Sequence, residues 1–490
     1  MTEKQKKERE DKEPKERVNG ENALTEENTE QVKENKMGVM PMNKLLVSMA
    51  LPMVVSMLVQ AFYNIVDSLF VARIKDGVEG ASSGTAALVA VGMAFPFQTL
   101  LIAFSTGTCV GVNAILSKAL GEKDKETAQK VANHGMFLAV CNYILFLIIG
   151  LFFARPLIAS QKGTGLALEY GTQYLSIVCI GSAGIFFQMM NERLLQSTGK
   201  TIYTMYTQLT GAIINIILDP ILIFGYCGFP EMKVAGAAVA TIIGQICAGI
   251  LAIILNHRYN DEVKVKLKGF RPDLFIVKKI YAIGLPSIVM QAIGSVMTFS
   301  MNRILTGLNP DSVAVFTVYF KLQSLFFMPI FGLNNGMVPI LAFNYGARKK
   351  KRMLSVIKLT MMYAFAFMFV GFLLFELIPE QLLRIFDTGE ESLITLGVPA
   401  LRIIGVHYLA AWFCIIGGTV FQALGNGVYS LIVSVARQLV ILIPVAWILG
   451  RTVGLPGIWW CFPIAEVMSL CVNIVFLTKI HRNVIAPIPD

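Results

Sequence analysis

Apolar residues run along this chain in long stretches broken by short polar segments, from residue 45 to residue 478. A helix needs about 20 residues to cross a hydrocarbon core of about 30 Å. Twelve stretches meet that length, at approximately 45–72, 86–117, 131–154, 167–195, 202–226, 234–256, 277–306, 312–344, 355–378, 394–423, 428–450 and 456–478. Each is predicted to be a transmembrane helix, since a helix satisfies its backbone hydrogen bonds within itself.

The pattern repeats within the chain. Leu51-Pro52 opens the first span and Leu285-Pro286 the seventh, while Gln98 and Gly121 recur as Gln323 and Gly346, an offset of 225 residues. Gln196 and Gly199 match Gln422 and Gly425 at 226, and Gly236 matches Gly457 at 221. Six crossings per half is an even number, so both halves enter the membrane from the same side and are expected to be related by a pseudo-two-fold axis along its normal. The predicted fold is therefore an all-α integral membrane protein, with twelve transmembrane helices in two six-helix bundles facing each other across a cavity. Residues 37–256 and 277–480 are the expected lobes. Residues 1–36 would form a disordered charged cytoplasmic tail, 257–276 a cytoplasmic linker and 481–490 a cytoplasmic C-terminal tail.

Composition agrees with this pattern. Apolar residues make up 55% of the 490 and charged residues 15%, with a mean hydropathy of +0.63. Residues 1–36 carry 9 Lys/Arg and 11 Asp/Glu, which leaves the body too poorly charged for a soluble surface. The net charge of +10 splits into −2 for residues 1–36 and +12 for the body, so a membrane protein accounts for it and no nucleic-acid partner is implied. Basic residues cluster after the second span (Lys118, Lys123, Lys125, Lys130), in the segment Lys264–Lys279 and in the run Arg348–Arg352. The bias of Lys and Arg toward the cytoplasm then places both termini inside, in a multi-pass protein of the plasma membrane. The N-terminus has no short apolar segment ending in small residues, and no cleaved signal is expected. The eight cysteines show no metal-binding spacing and read as small core residues.

Enzyme chemistry finds little support. Gly199-Lys200-Thr201 lacks the earlier glycine of a phosphate loop, Leu194 standing in its place, and His134, His257, His407 and His481 do not cluster. No enzyme activity and no cofactor are expected.

Acid at membrane depth is the stronger signal. Gln60, Asn64 and Asp67 share one face of the first span, and Gln208, Gly211, Asn215 and Asp219 one face of the fifth. A carboxylate at mid-membrane costs about 2.5 to 3.5 kcal/mol on insertion scales, so such residues turn toward a cavity or a partner. Pro220 lacks an N–H and frees the carbonyl of Ile216 beside them, an oxygen-rich place suited to Na⁺ or to a proton relay. Apart from a possible Na⁺ there, no metal site is expected. The seventh span offers the uncharged face Gln291, Ser295, Thr298 and Asn302, and the eleventh has Val445 and Ala446 where the fifth has Asp219 and Pro220. Ion coupling is thus expected in the N-terminal bundle. Gln60, Asn64, Gln208, Gln291, Lys321 and Arg437 are candidates for the substrate cavity, and Glu466 is a cavity or interhelix residue. Glu192 and Arg193 read as interfacial, and His407 as a packing residue.

These elements together resemble the multidrug and toxic compound extrusion (MATE) family, over residues 37 to about 480. The likeness rests on Pro52, Gln60, Asn64 and Asp67, on Asn215-x3-Asp219-Pro220, on Gly236-Ala237-Ala238 with Ala240-Thr241, and on the Gln196 and Gln422 loops. The resemblance implies a cation-coupled antiporter that exports cationic, amphipathic drugs by alternating access, with Asp67, Asn215, Asp219 and Thr241 matching the family's site for the coupling H⁺ or Na⁺. NorM-like members also use acids in the seventh and tenth spans. None stands mid-span there in this chain, which resembles the DinF-like branch. Small cationic molecules and membrane lipid are the partners implied, and a monomer is expected. A lipid-linked saccharide flippase of the same broad superfamily is the alternative, which Lys321 and Arg437 keep open.

Overall fold

The computed structural model describes residues 35–71, 74, 85–161, 165–266, 269–309, 311–385 and 391–489. The expected charged tail lies almost wholly outside them. Ten helices long and apolar enough to span a bilayer are joined by two bent helix pairs, giving twelve spans when each pair is counted as one. In chain order these are Met42–Val71, Thr85–Gly121, Lys125–Ser160, the pair Gly165–Ile180 and Ala183–Ser197, Thr201–Phe224, Lys233–Tyr259, Leu274–Leu308, Asp311–Gly346, Lys350–Leu377, the pair Glu391–Gly405 and Tyr408–Ala423, Gly427–Thr452, and Cys461–Ile480. No strand occurs among the described residues.

The bends are the main departure from the expected spans. The fourth breaks by 43° at Gly181-Ser182 and the tenth by 53° at Val406-His407, positions again 225 residues apart. Glycine next to serine is a common place for a helix to kink. In the tenth span the His407 ring Nδ1 bonds the carbonyl of Ile404, occupying it locally.

Two apolar cores correspond to the two bundles, and each takes in the start of the other bundle's first helix. The C-terminal core of Phe316, Tyr319, Phe375 and Tyr408 includes Leu45, Leu46 and Met49 of the first span. The N-terminal core of Val112, Leu116, Leu175 and Phe186 includes Ile276 and Ile280 of the seventh. Glycine permits these crossings. A Cβ on Gly111 would lie 2.2 Å from the Ile280 carbonyl oxygen, and one on Gly336 2.6 Å from Ala50 Cα. Likewise Gly107 faces Gly284 and Gly332 faces Val54, while Gly121 and Gly346 meet the backbone of Phe343 and Lys118. Gly107, Gly111 and Gly121 recur as Gly332, Gly336 and Gly346 at the same 225-residue offset, so the seam between bundles obeys the internal repeat. It lies toward the face that carries the termini and the linker.

Across that face runs a strap, Asn35 to Met40. Met37 is fully buried, and its carbonyl accepts from Asn344 Nδ2 (3.1 Å) and Arg352 Nη2 (3.0 Å). Arg352 also reaches the Met40 carbonyl at 2.8 Å, and Lys349 Nζ the Gly38 carbonyl at 2.9 Å. At the strap's other end, Asn35 donates to Glu262 of the linker. Burial, and next the nearby Lys200, hold the Lys36 amine below its ordinary range. The linker is pinned to the third span, its Asp273 N–H donating to His134 Nε2 at 2.7 Å.

Candidate functional site

The fifth and sixth spans pack backbone to backbone because small residues line their contact. A Cβ on Gly236 would fall 2.5 Å from the Leu222 carbonyl oxygen, and one on Gly244 2.7 Å from that of Gly211. This approach brings Asn215 of the fifth span to Thr241 of the sixth. With the amide oriented to satisfy both of its atoms, Asn215 donates to Asp219 Oδ2 at 3.1 Å and accepts from Thr241 N and Oγ1, each at 3.2 Å. Asp219 is fully buried and Asn215 nearly so. Asp67 arrives from the first span, its carboxyl group in hydrogen-bonding contact with that of Asp219. Its Oδ1 is buried without a hydrogen-bond partner. The four residues singled out in the sequence therefore converge from three helices. The fifth helix continues through Pro220 to Phe224 and ends at Gly225, whose φ of 74° is left-handed.

Next to this cluster lies a small cavity of about 120 Å³, lined by Gln60, Tyr63, Gln188, Glu192, Gln208, Asn215 and Thr241 among others. The sequence reading placed Glu192 and Arg193 at the membrane interface, and the structure corrects this: they are 3% and 7% exposed. The Glu192 carboxylate accepts from Thr207 Oγ1 at 2.7 Å, Gln208 Nε2 at 2.9 Å and Gln188 Nε2 at 3.0 Å. Three donors satisfy its lone pairs, which is how a charge can remain inside a protein. Arg193 lines this cavity as well, and it donates to Gln196 Oε1 at 2.7 Å and, across the bundle boundary, to Asn335 Oδ1 of the eighth span at 3.0 Å. Proximity to a helix end suggested an interface. Only the tertiary partners, two of them in the next helix, reveal the role.

A larger cavity of about 570 Å³ occupies the C-terminal bundle and reaches the second span at Thr106, Val110 and Asn113. Gln291 and Arg437 line it, as do Glu466 and His407. Lys321 does not, and its side chain is exposed. The side chain of Asn64 lies outside the described residues. Arg437 Nη1 pairs with Glu466 Oε2 at 3.2 Å. Both Arg437 and Gln438 fall within a π-helical stretch, Ala436–Leu442, a widening of the helix frequent at functional sites. Among the described residues no group of three or more metal-ligating side chains occurs.

A membrane helix repeat, a pseudo-symmetric seam and acids meeting inside one bundle find their counterpart in a known family: residues 52–221 and 286–448 match MatE. The chain belongs to the MatE family. MatE proteins are transporters and not enzymes, so this is a multi-pass membrane transporter. It is 25% identical over 431 residues to the multidrug export protein MepA of Staphylococcus aureus, covering 88% of this chain and 92% of that one. To MepA of Staphylococcus haemolyticus it is 26% identical over 423 residues, 86% of this chain and 90% of the relative. Among solved structures, an outward-facing multidrug resistance MATE transporter of the MOP superfamily superposes with a TM-score of 0.84 at 26% identity, over 92% of this chain and 98% of that one.

Proposed function

We infer that this protein is an ion-coupled antiporter that exports cationic, amphipathic compounds across the plasma membrane, its termini in the cytoplasm and its coupling ion, H⁺ or Na⁺, bound among Asp67, Asn215, Asp219 and Thr241. The observation carrying this reading is the contact between the Asp67 and Asp219 carboxyl groups. Two carboxylates in contact repel strongly when both are ionised, so a shared proton or an inserted cation stabilises the pair. With neither bound, the pair is an electrostatic trap for an ammonium group. Ion and drug thus compete for one charge, and each favours a different state of the protein, as differential affinity requires.

The MepA relatives are multidrug export proteins, which supports the outward direction and drugs as substrates. The glycine seam fits a state closed at the cytoplasmic face. A saccharide-lipid flippase would need surplus cations for a pyrophosphate. In the C-terminal cavity Arg437 is instead paired with Glu466, and the donors of Arg193 are engaged by Gln196 and Asn335. In proteoliposomes, ethidium movement should follow an imposed proton or sodium gradient. Equal movement with neither gradient would contradict antiport.

A further inference from the structure

The second half of the fourth span, Ala183–Ser197, is joined to three neighbours in its own bundle by buried polar side chains. Asn191 Oδ1 accepts from Asn256 Nδ2 of the sixth span at 3.2 Å. Glu192 accepts from Thr207 and Gln208 of the fifth. The Ser197 hydroxyl lies 2.7 Å from Asn113 Oδ1 of the second. With these bonds in place the segment moves as part of the N-terminal bundle.

One side chain reaches out of that bundle. The buried Arg193 guanidinium donates to Asn335 of the eighth span, and among the described residues this is the hydrogen bond that joins the fourth span to the C-terminal bundle. Asn335 stands beside Gly336, whose close approach to Ala50 belongs to the seam, and Arg193 and Asn335 both line the larger cavity. The bond therefore sits where cavity and seam meet.

The internal repeat sets this bond apart from the packing around it. Offset by 226 and 225 residues, Arg193 corresponds to Thr419 and Asn335 to Val110. Valine has no polar side-chain atom, and the Thr419 hydroxyl donates to the Ile415 carbonyl of its own helix at 3.0 Å. Glycines line the seam on both sides of the pseudo-two-fold axis, but the charged bond is present on one side alone. Its chemistry suits a bond that is made and broken. A single nitrogen, Nη1, serves Asn335 at 3.0 Å and Gln196 at 2.7 Å. Gln196 lies one turn along the same helix, so a guanidinium that releases Asn335 keeps an acceptor and is not stranded as an unpaired buried charge. An ionised donor also makes this bond stronger than one between two amides.

We propose that Arg193 is a positioning residue of the transport cycle, acting through Asn335 as the latch that holds the bundles together where the cavities meet the seam. Parting of the bundles at the linker face then requires this bond to break. The proposal rests on the antiport reading, in which the bundles must part on that face, and it names the side chain that holds them.

The test places a reporter cysteine at Ser287, in the lining of the larger cavity, in protein whose eight native cysteines are replaced. Its reaction with an impermeant maleimide is followed in vesicles sealed with the linker face outward, so that the rate reads the fraction of molecules open on that face. Arg193→Leu and Asn335→Val, the second copying Val110, should react at least tenfold faster than the parent protein. Asn335→Asp gives the guanidinium a charged partner and should react at least threefold more slowly, and the double variant Arg193→Leu/Asn335→Asp should lose that slowing. Thr419→Val, on the unbonded side, should stay within twofold. Unfolding can only speed the reaction, so the slowing by Asn335→Asp decides the matter even where Arg193→Leu folds poorly. Parent rates in Arg193→Leu and Asn335→Val, a fast Asn335→Asp protein, or an equal effect of Thr419→Val would overturn the latch. Antiport is judged separately, by ion-driven ethidium transport: its absence with the labelling pattern intact would end the antiport reading and leave the latch, whereas transport without the pattern would end the latch alone.

Discussion

Asn215 joins Thr241 to Asp219, with its amide nitrogen 3.1 Å from the Asp219 carboxylate and its oxygen 3.2 Å from the Thr241 hydroxyl. The Ala237 carbonyl lies 3.0 Å from the same hydroxyl and shares its single proton, which ties the relay to the sixth helix. Replacing Thr241 by valine keeps the shape and removes the hydroxyl. One hydrogen bond of this kind contributes about 1 kcal/mol. Thr241→Val should therefore weaken coupling-ion affinity about fivefold, read from the ion dependence of drug transport, while Thr241→Ser stays near wild type. Equal loss in both would assign Thr241 to packing.

Glu192 gives a second prediction. Its carboxylate lines the small cavity and is held by three donors. Glu192→Gln removes the charge with little change in shape, and should weaken binding of a singly charged cationic dye about tenfold, equivalent to about 1.4 kcal/mol. Glu192→Ala leaves Gln188 Nε2 and Gln208 Nε2 without their acceptor, at about 1 to 3 kcal/mol each, while Thr207 can turn to the Thr204 carbonyl, so its melting temperature in detergent should fall below that of Glu192→Gln. Unchanged dye affinity in the glutamine variant would make Glu192 a structural acid.

The seam between the bundles has no room for side chains at Gly111 and Gly336. Gly111→Ile should hold apart the face that carries the linker, the cytoplasmic one in the proposed orientation. In a background free of the eight native cysteines, Val110→Cys would then react with an impermeant maleimide applied to inside-out vesicles. The same cysteine beside native Gly111 should react at least tenfold more slowly. Equal reactivity would mean that the seam does not gate access.

Arg352 ties the strap to the eighth and ninth spans through the carbonyls of Met37 and Met40 and, from Nε, Asn344 Oδ1 at 3.1 Å. Charged hydrogen bonds contribute about 1.5 to 3 kcal/mol each. Arg352→Ala should raise hydrogen exchange across residues 36–46 at least tenfold and leave exchange in the fifth and sixth spans unchanged. Protection as in wild type would show that burial of Met37 alone holds the strap.

How much of this was legible in the sequence depends on the distance over which the signal acts. Twelve spans and their two-fold repeat could be read because hydropathy and helical period are local. The acids could be placed on helix faces for the same reason, and the structure brings Asp67, Asn215, Asp219 and Thr241 together. The bends at Gly181 and Val406 were not expected, since a break of two residues hardly changes the hydropathy of a long window. Glu192 and Arg193 were misplaced at the interface because their burial depends on Thr207, Gln208 and Asn335, which come from other helices. Lys321 stood out as an intramembrane charge, yet it lies outside the cavity lining, because sequence does not reveal which face of the eighth span turns inward.

The central claim is that ion and drug compete for the Asp67 and Asp219 pair, and the most direct measurement is ion release on drug addition to purified protein. In weakly buffered detergent solution, followed with a pH indicator and with a sodium-selective dye, a saturating cationic drug should displace the coupling ion from wild type. Asp67→Asn and Asp219→Asn, each confirmed as folded by size exclusion and melting temperature, should release none and should not export against a gradient. Wild-type ion release and wild-type export by the Asp67→Asn protein would contradict the account.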